Sequence, residues 1–173
     1  MMRSVKIPMA TRFAPLVMLV VFSGCGIYSF TGIDDSGAET FAVDYLRTQT
    51  PLASETFAQR LTEGMKDLVL QRSALDVVAD NADLTYSGFI TAYAVRPVSN
   101  QSDETAALNR LTVTLRISYV NDKEPEKSFD NRTFSEFVDF DANLDFATVE
   151  TTLWDELLDK LTQSVFNASL GNW

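Results

Sequence analysis

The stretch LTVTLRISY, residues 111–119, alternates apolar and polar side chains from end to end. Successive side chains of a β-strand point to opposite faces of a sheet, so this alternation predicts a strand with one buried face and one open face. The open face would carry Thr112, Thr114, Arg116 and Ser118. The fold must therefore cover one side of a sheet and leave the other side exposed.

Three more extended runs accompany this strand. In the first of them, Phe41, Val43 and Tyr45 alternate with small or polar residues, which predicts a strand. Pro97 ends the second run, and residues 121–127 have the composition of a hairpin tip before the third. The runs are Thr40–Leu46, Leu84–Val95 and Phe129–Phe140.

Two segments have helical periodicity instead. Ser54 is a suitable cap for a helix that continues to about Arg72, and a second helix is predicted from about Thr148 to Leu170. The apolar residues of each helix form one stripe, which the helix must bury against another element. In the second helix this stripe consists of Val149, Leu153, Leu157, Leu161 and Val165.

Together these patterns predict an α+β fold. We expect a two-layer sandwich in which two helices pack on one face of a roughly four-stranded mixed sheet. Leu115 in the middle of its strand and Leu157 in the middle of its helix should then meet in one core. The opposite sheet face, rich in threonine and serine, would stay open to solvent or to another protein.

The N-terminus has the features of an export signal that ends on the chain's single cysteine. Basic residues precede an apolar run at positions 13–22, which is too short to span a bilayer. The sequence Phe22-Ser23-Gly24-Cys25 resembles a bacterial lipobox, in which the thiol is acylated and the cysteine becomes the new N-terminus. The alternative is an ordinary secretory signal in which the cysteine falls at this position by chance.

The lipobox interpretation divides the chain into three parts. Residues 1–24 would be a lipoprotein signal peptide, residues 25–38 a lipid-anchored tether, and residues 39–173 a single α+β domain. An acylated Cys25 cannot form a disulfide, so the domain must depend on its core alone. Gly26, rather than an aspartate, follows the cysteine. By resemblance to lipoprotein sorting signals, this predicts the outer membrane, on its periplasmic side.

The charge balance restricts the partners. The chain has 14 basic and 24 acidic residues, and removal of residues 1–24 would leave 11 basic and 24 acidic residues. Such a balance argues against a nucleic-acid binder and against general attraction to anionic lipid surfaces. Most of the remaining cations lie between residues 96 and 132, namely Arg96, Arg110, Arg116, Lys123, Lys127 and Arg132.

The chain offers little for catalysis, and we predict neither an enzyme nor a cofactor or metal site. It contains no histidine, which excludes Ser-His triads and histidine-based general base or metal chemistry. It also lacks a glycine loop that could cradle phosphates. The carboxylate pair Asp139 and Asp141 leaves a hydrolase open as a minor alternative, although such aspartates beside a strand end are usually turn residues.

Three short segments resemble one known family. The segment CGIYSFTG at residues 25–32, the segment ETAALNRLTV at residues 104–113, and the terminal Asn172-Trp173 are similar to the lipopolysaccharide-assembly lipoproteins, the LptE-like family. The resemblance implies a non-enzymatic protein inside the lumen of a large outer-membrane β-barrel translocon of the LptD-like kind. It would help the barrel to assemble and help to deliver lipopolysaccharide to the outer leaflet. The alternative is a periplasmic lipoprotein adaptor or scaffold unrelated to lipopolysaccharide.

Candidate contact residues follow from the basic segment. Arg110 and Arg116 are expected on the same open face, about 20 Å apart, and Arg132 is expected to approach them from the neighbouring strand. Because lipopolysaccharide headgroups are anionic, a direct contact would depend on this group or on bridging divalent cations. We predict that the three arginines, Arg116 above all, contact phosphorylated lipid or acidic positions of the barrel lumen. The alternative is that they are solvated arginines on an open sheet face.

Overall fold

The computed structural model of the protein describes residues 35–98 and 107–171, which all belong to one unit, Thr31–Trp173. The predicted signal peptide, Cys25 and residues 26–34 of the predicted tether lie outside the described residues, as do residues 104–106 and Asn172-Trp173.

The described elements confirm the predicted α+β class. Two helices pack against one mixed sheet of six strands, in which four strands correspond to the predicted extended runs and two are two-residue additions. The helices are α1 (Glu55–Arg72) and α2 (Phe146–Ser169), and the strands are β1 (Thr40–Val43), β2 (Arg47–Thr48), β3 (Asp76–Val77), β4 (Leu84–Val98), β5 (Leu108–Asn121) and β6 (Phe129–Asp141).

The sheet has the order β3-β1-β4-β5-β6, and β2 also pairs with β4. The pairs among β1, β2, β3 and β4 are parallel, whereas β4, β5 and β6 form an antiparallel meander. A 3-10 turn, Pro125–Lys127, lies at the predicted hairpin tip between β5 and β6. The three long strands of this meander therefore provide most of the sheet surface on which a site could lie.

The first predicted strand is interrupted in the middle. Phe41 and Val43 are buried, but Tyr45 is exposed and its hydroxyl donates to the Glu55 carboxylate at 2.8 Å. Leu46 is buried instead, and its N–H donates to Thr62 Oγ1 on α1. The predicted strand is therefore interrupted at Tyr45, between β1 and β2.

Both helices begin at a capping side chain. Ser54 Oγ accepts a hydrogen bond from Phe57 N at 3.1 Å, which confirms the predicted cap of α1. The second helix begins two residues earlier than predicted, where Asp145 Oδ1 accepts from Ala147 N at 3.0 Å. The helices bury their stripes on the same side of the sheet, and Leu115 and Leu157 lie in one core as predicted.

Aromatic side chains tie the two helices to the sheet at one end of this core. The Phe57 ring lies edge-on to Tyr93, with 5.6 Å between centroids, and to Trp154, with 5.3 Å between centroids. Trp154 Nε1 donates to the Tyr93 hydroxyl at 2.8 Å, and that hydroxyl donates to Glu150 at 2.6 Å. Burial raises the pKa of Tyr93, so the hydroxyl stays protonated and keeps both bonds.

The free edges of the sheet are protected. Among the described residues, β6 pairs only with β5, and its outer edge is occupied at one point by Lys160 Nζ, which donates to Phe137 O at 3.1 Å. A β-bulge near Asn131, whose φ is +50°, bends the start of the same strand. Pro97 removes a donor from the part of β4 that β1 and β2 leave uncovered. Lysines, bulges and prolines are common ways to prevent edge-to-edge pairing.

Asp83 clamps the start of β1 to the turn before β4. Its carboxylate accepts from Glu39 N at 2.9 Å and from Thr40 N at 3.2 Å, and Lys123 Nζ lies 3.0 Å away. These bonds, the one from Glu39 N above all, lower the pKa of Asp83 to about 2. The clamp therefore joins three separate parts of the chain through one ionised carboxylate.

We expect Asp83→Asn to lower the melting temperature at pH 7 and to have little effect at pH 2. The folded pKa of about 2 lies below the ordinary aspartate value, so the stabilisation is complete above that ordinary value. It is lost as the pH falls through the folded pKa, where the wild-type carboxyl also becomes protonated. Circular dichroism melts of both proteins between pH 2 and pH 7 measure the difference. Asp80→Asn, at an exposed aspartate, is the control, and an Asp83→Asn deficit that is undiminished at pH 2 would contradict the role of the charge.

Candidate functional site

The sheet face opposite the helices is lined with hydroxyl groups. This confirms the predicted threonine- and serine-rich open face, which carries Thr85, Ser87, Thr112, Thr114, Ser118, Thr133 and Ser135. Thr114 Oγ1 and Ser135 Oγ are hydrogen-bonded across β5 and β6 at 3.0 Å. Three large apolar side chains, Phe89, Val120 and Phe137, are also exposed on this face. The face is broad and polar, with isolated apolar points.

Arg110 lies on the open face but its guanidinium is already engaged. The side chain is directly opposite Asp139 and holds it through two bonds, Nε to Oδ1 at 2.7 Å and Nη2 to Oδ2 at 2.8 Å. Its Cζ also lies 3.7 Å from the centroid of the Phe137 ring. The bidentate pair raises the pKa of Arg110 and lowers that of Asp139. A new anion would have to compete with Asp139 for this arginine.

Arg116 lies on the same face and is more available. It is exposed, and the register places it between Phe89 on β4 and Thr133 on β6. Within residues 35–98 and 107–171, no acidic side chain pairs with its guanidinium. Arg116 is therefore exposed on the open face without an ion-pair partner among the described residues.

Arg132 does not join the other two arginines, and the expectation that it approaches them was wrong. Its register partner is Ile117, whose side chain is buried on the helix-covered face. Its Cζ lies 5.5 Å and 5.6 Å from the ring centroids of Phe129 and Phe134. The cause is the β-bulge, which adds one residue of β6 opposite Ser118. Without that residue, Arg132 would pair with Arg116, and a shift of one position moves a side chain to the other face.

Two further arginines of the open face were not predicted as contact residues. Arg96 on β4 lies directly opposite Arg110 on β5, and Arg47 on β2 lies directly opposite Phe89 on β4. Arg96 belongs to the basic segment, but only the β4–β5 register shows that it shares a face with Arg110. The two-residue strand that carries Arg47 is too short for any alternation to be visible in the sequence.

Arg47, Phe89 and Arg116 form one row across three adjacent strands, which we call the arginine row. Neighbouring strands lie about 4.8 Å apart, so the two arginine Cα atoms are separated by about 10 Å. Close contact of β4 with β5 beside this row requires a glycine. A Cβ at Gly88 would lie 2.3 Å from Arg116 O.

An open depression of about 440 Å³ lies at one end of the row. Its lining consists of Asp44, Tyr45, Arg47, Ser87, Gly88 and Phe89. Among the described residues, Arg47 forms no ion pair with Asp44 or with another carboxylate. Cationic, hydroxyl and aromatic groups therefore face outward together, next to the exposed carboxylate of Asp44.

The carboxylates that could have indicated catalysis have structural roles. Asp139 is held ionised by Arg110, which is unsuitable for a general acid near neutral pH. Asp141 Oδ1 accepts from the backbone N–H and the side-chain amide of Asn143, both at 2.8 Å, as a turn residue does. Within the described ranges, no group of three or more acidic or cysteine side chains could hold a metal ion. Neither α1 nor α2 is long and apolar enough to cross a membrane.

The described residues form an α+β domain with an open, hydroxyl-lined and arginine-bearing sheet face. The model of the LptE family, described as lipopolysaccharide-assembly, matches residues 38–169, and the chain belongs to this family. No curated protein matches the chain.

Solved structures provide looser similarities. A minor lipoprotein from Acinetobacter baumannii is 16% identical, with 76% of this chain and 95% of that chain covered and a TM-score of 0.41. An uncharacterized lipoprotein B from Nitrosomonas europaea is 12% identical, with 72% of this chain and 81% of that chain covered and a TM-score of 0.45. Both TM-scores are below 0.5, so the family assignment depends on the sequence match.

Proposed function

We propose that this chain is a non-enzymatic outer-membrane lipoprotein, anchored through Cys25 on the periplasmic side. In this proposal it plugs the β-barrel lipopolysaccharide translocon, a large LptD-like barrel, and assists the assembly of that barrel. It thereby aids the delivery of lipopolysaccharide to the outer leaflet. The family match over residues 38–169 is the observation that supports the lipopolysaccharide-assembly role.

The open sheet face supports the plug role. The interior of a transmembrane β-barrel is polar, and a plug must present polar groups that can replace the water inside it. The seven hydroxyl side chains of the open face are such groups, since each can donate and accept. Because the core is closed by both helices, the domain can present this face without exposing its apolar interior.

The predicted arginine contacts become more specific on this face. Arg116 is exposed beside Phe89 and is the best placed to contact phosphorylated lipid or acidic barrel positions. Arg110 would contribute only after exchange with Asp139, and Arg132 would act from the other face of the sheet. The net negative charge of the chain favours assembly and plugging over carriage of anionic lipid.

Affinity purification of the full-length lipoprotein from outer membranes tests this function. We expect one large β-barrel protein at equal stoichiometry, identified by mass spectrometry and by densitometry after crosslinking. A parallel purification with an unrelated lipoprotein carrying the same affinity tag controls for nonspecific capture. Recovery of periplasmic proteins without a barrel would contradict the proposal and support the adaptor alternative.

A further inference from the structure

We infer that the arginine row, Arg47, Phe89 and Arg116, is the site where the chain recognises its protein partner, by docking on an acidic segment of the barrel wall. The inference rests on the proposed function, which supplies the barrel as the partner. It adds the face of the domain that docks, the residues that make the contact, and the chemistry required of the opposite surface.

The register brings these three side chains together. Arg47 pairs with Phe89 in the parallel β2–β4 ladder, and Phe89 pairs with Arg116 in the antiparallel β4–β5 ladder. Residues that are directly opposite in neighbouring strands share a face, so Arg47 and Arg116 lie on either side of the exposed Phe89. The Phe89 side chain is 38% exposed, although the face around it is mainly polar.

Neither arginine of the row forms an ion pair with another described residue. Arg110 on the same face has a bidentate carboxylate partner, whereas neither Arg47 nor Arg116 pairs with any acidic side chain among the described residues. This contrast arises in a chain with 24 acidic residues, where carboxylates are abundant. The Cα atoms of these two arginines are about 10 Å apart, and neither side chain has an ion-pair partner among the described residues. This arrangement favours a partner that supplies the carboxylates itself.

The shape of the face favours a protein wall over a lipid headgroup. The row crosses a broad sheet face, and the depression beside it is open to solvent rather than an enclosed pocket. Arginine and aromatic residues are enriched in the energetic centres of protein–protein interfaces, and the planar guanidinium fits a carboxylate through two bonds. The hydroxyl residues around the row, such as Ser87 and Thr133, would form the polar rim.

Charge reversal in full-length lipoprotein tests the row. We expect Arg47→Glu and Arg116→Glu each to reduce the barrel recovered per lipoprotein severalfold, and the double variant to reduce it at least tenfold. Arg72→Glu, on the last turn of α1, makes the same charge change on the helix side and is expected to retain the wild-type recovery. The melting temperature of each purified variant is measured as well, to show that the variant is folded. If the double variant melts early, Arg47→Gln with Arg116→Gln replaces it, and the same loss of barrel is expected.

Photocrosslinking identifies the occupant. A benzophenone amino acid at position 89 should form an adduct with the barrel protein, and the same group at Leu70, an exposed position on α1, should not. An adduct with lipopolysaccharide instead of protein at position 89 would overturn the inference. Wild-type barrel recovery by the double variant would also overturn it while the proposed function stands. Absence of the barrel from the wild-type purification would overturn the proposed function itself.

Discussion

Leu157→Ala should lower the free energy of unfolding by about 2–5 kcal/mol, and Leu115→Ala by a similar amount. Leu157 is fully buried on the sheet-facing side of α2, and Leu115 is 1% exposed in the middle of β5. An apolar space beside Leu115, lined also by Ile117 and Leu161, has a volume of only about 10 Å³. A truncated leucine therefore leaves a cavity that surrounding side chains cannot easily fill.

Urea denaturation of the purified protein, followed by circular dichroism, measures this change. Leu70→Ala is the matched control, because Leu70 lies on α1 with 43% of its surface exposed. We expect the control to stay within about 0.5 kcal/mol of the wild type. Wild-type stability in both Leu115→Ala and Leu157→Ala would contradict a single core between the helices and the sheet.

Cys25→Ala should abolish lipid attachment and leave an uncleaved or mislocalised precursor. In the proposed lipobox the Cys25 thiol accepts the lipid, and alanine offers no nucleophilic sulfur at that position. Each buried methylene contributes about 0.8 kcal/mol to membrane binding, so loss of several acyl chains removes an effectively permanent anchor. Labelling of cells with a radioactive fatty acid, followed by membrane fractionation, measures attachment and location.

A neighbouring substitution separates the thiol from general damage to the signal. Ser23→Ala keeps a small residue before the cysteine and should preserve both labelling and membrane association. Label that persists in Cys25→Ala would show that the lipobox assignment is wrong. Loss of label in both variants would point to a defect in export instead.

The sequence predicted the elements well because their periodicities are local. The alternation at residues 111–119 and the leucine stripe of the last helix each extend over several repeats, and both correspond to β5 and α2. The buried and open faces of β5 follow directly from that alternation, so Arg110 and Arg116 were placed correctly on one face. Leu115 and Leu157 were placed in one core for the same reason.

The relations between strands could not be predicted in the same way. A single extra residue near Asn131 moved Arg132 to the opposite face, and no residue pattern in the sequence marked that bulge. Arg47 joined the candidate site through a two-residue strand, whose position depends on Leu46 packing under α1. Cross-strand register depends on the whole assembly, and a face shared by several strands becomes visible only once that register is known.

The protected edge of β6 has a consequence for the membrane-anchored state that we propose. Tethered copies diffuse in two dimensions with a common orientation, so any two of them meet edge to edge far more often than they would in free solution. Lys160 donates to the Phe137 carbonyl, and the β-bulge at Asn131 bends β6. Both features prevent a second copy from forming a regular ladder of backbone hydrogen bonds with this edge. We therefore expect crowded copies to remain monomeric and available for their partner, rather than to associate edge to edge into extended sheets of identical chains.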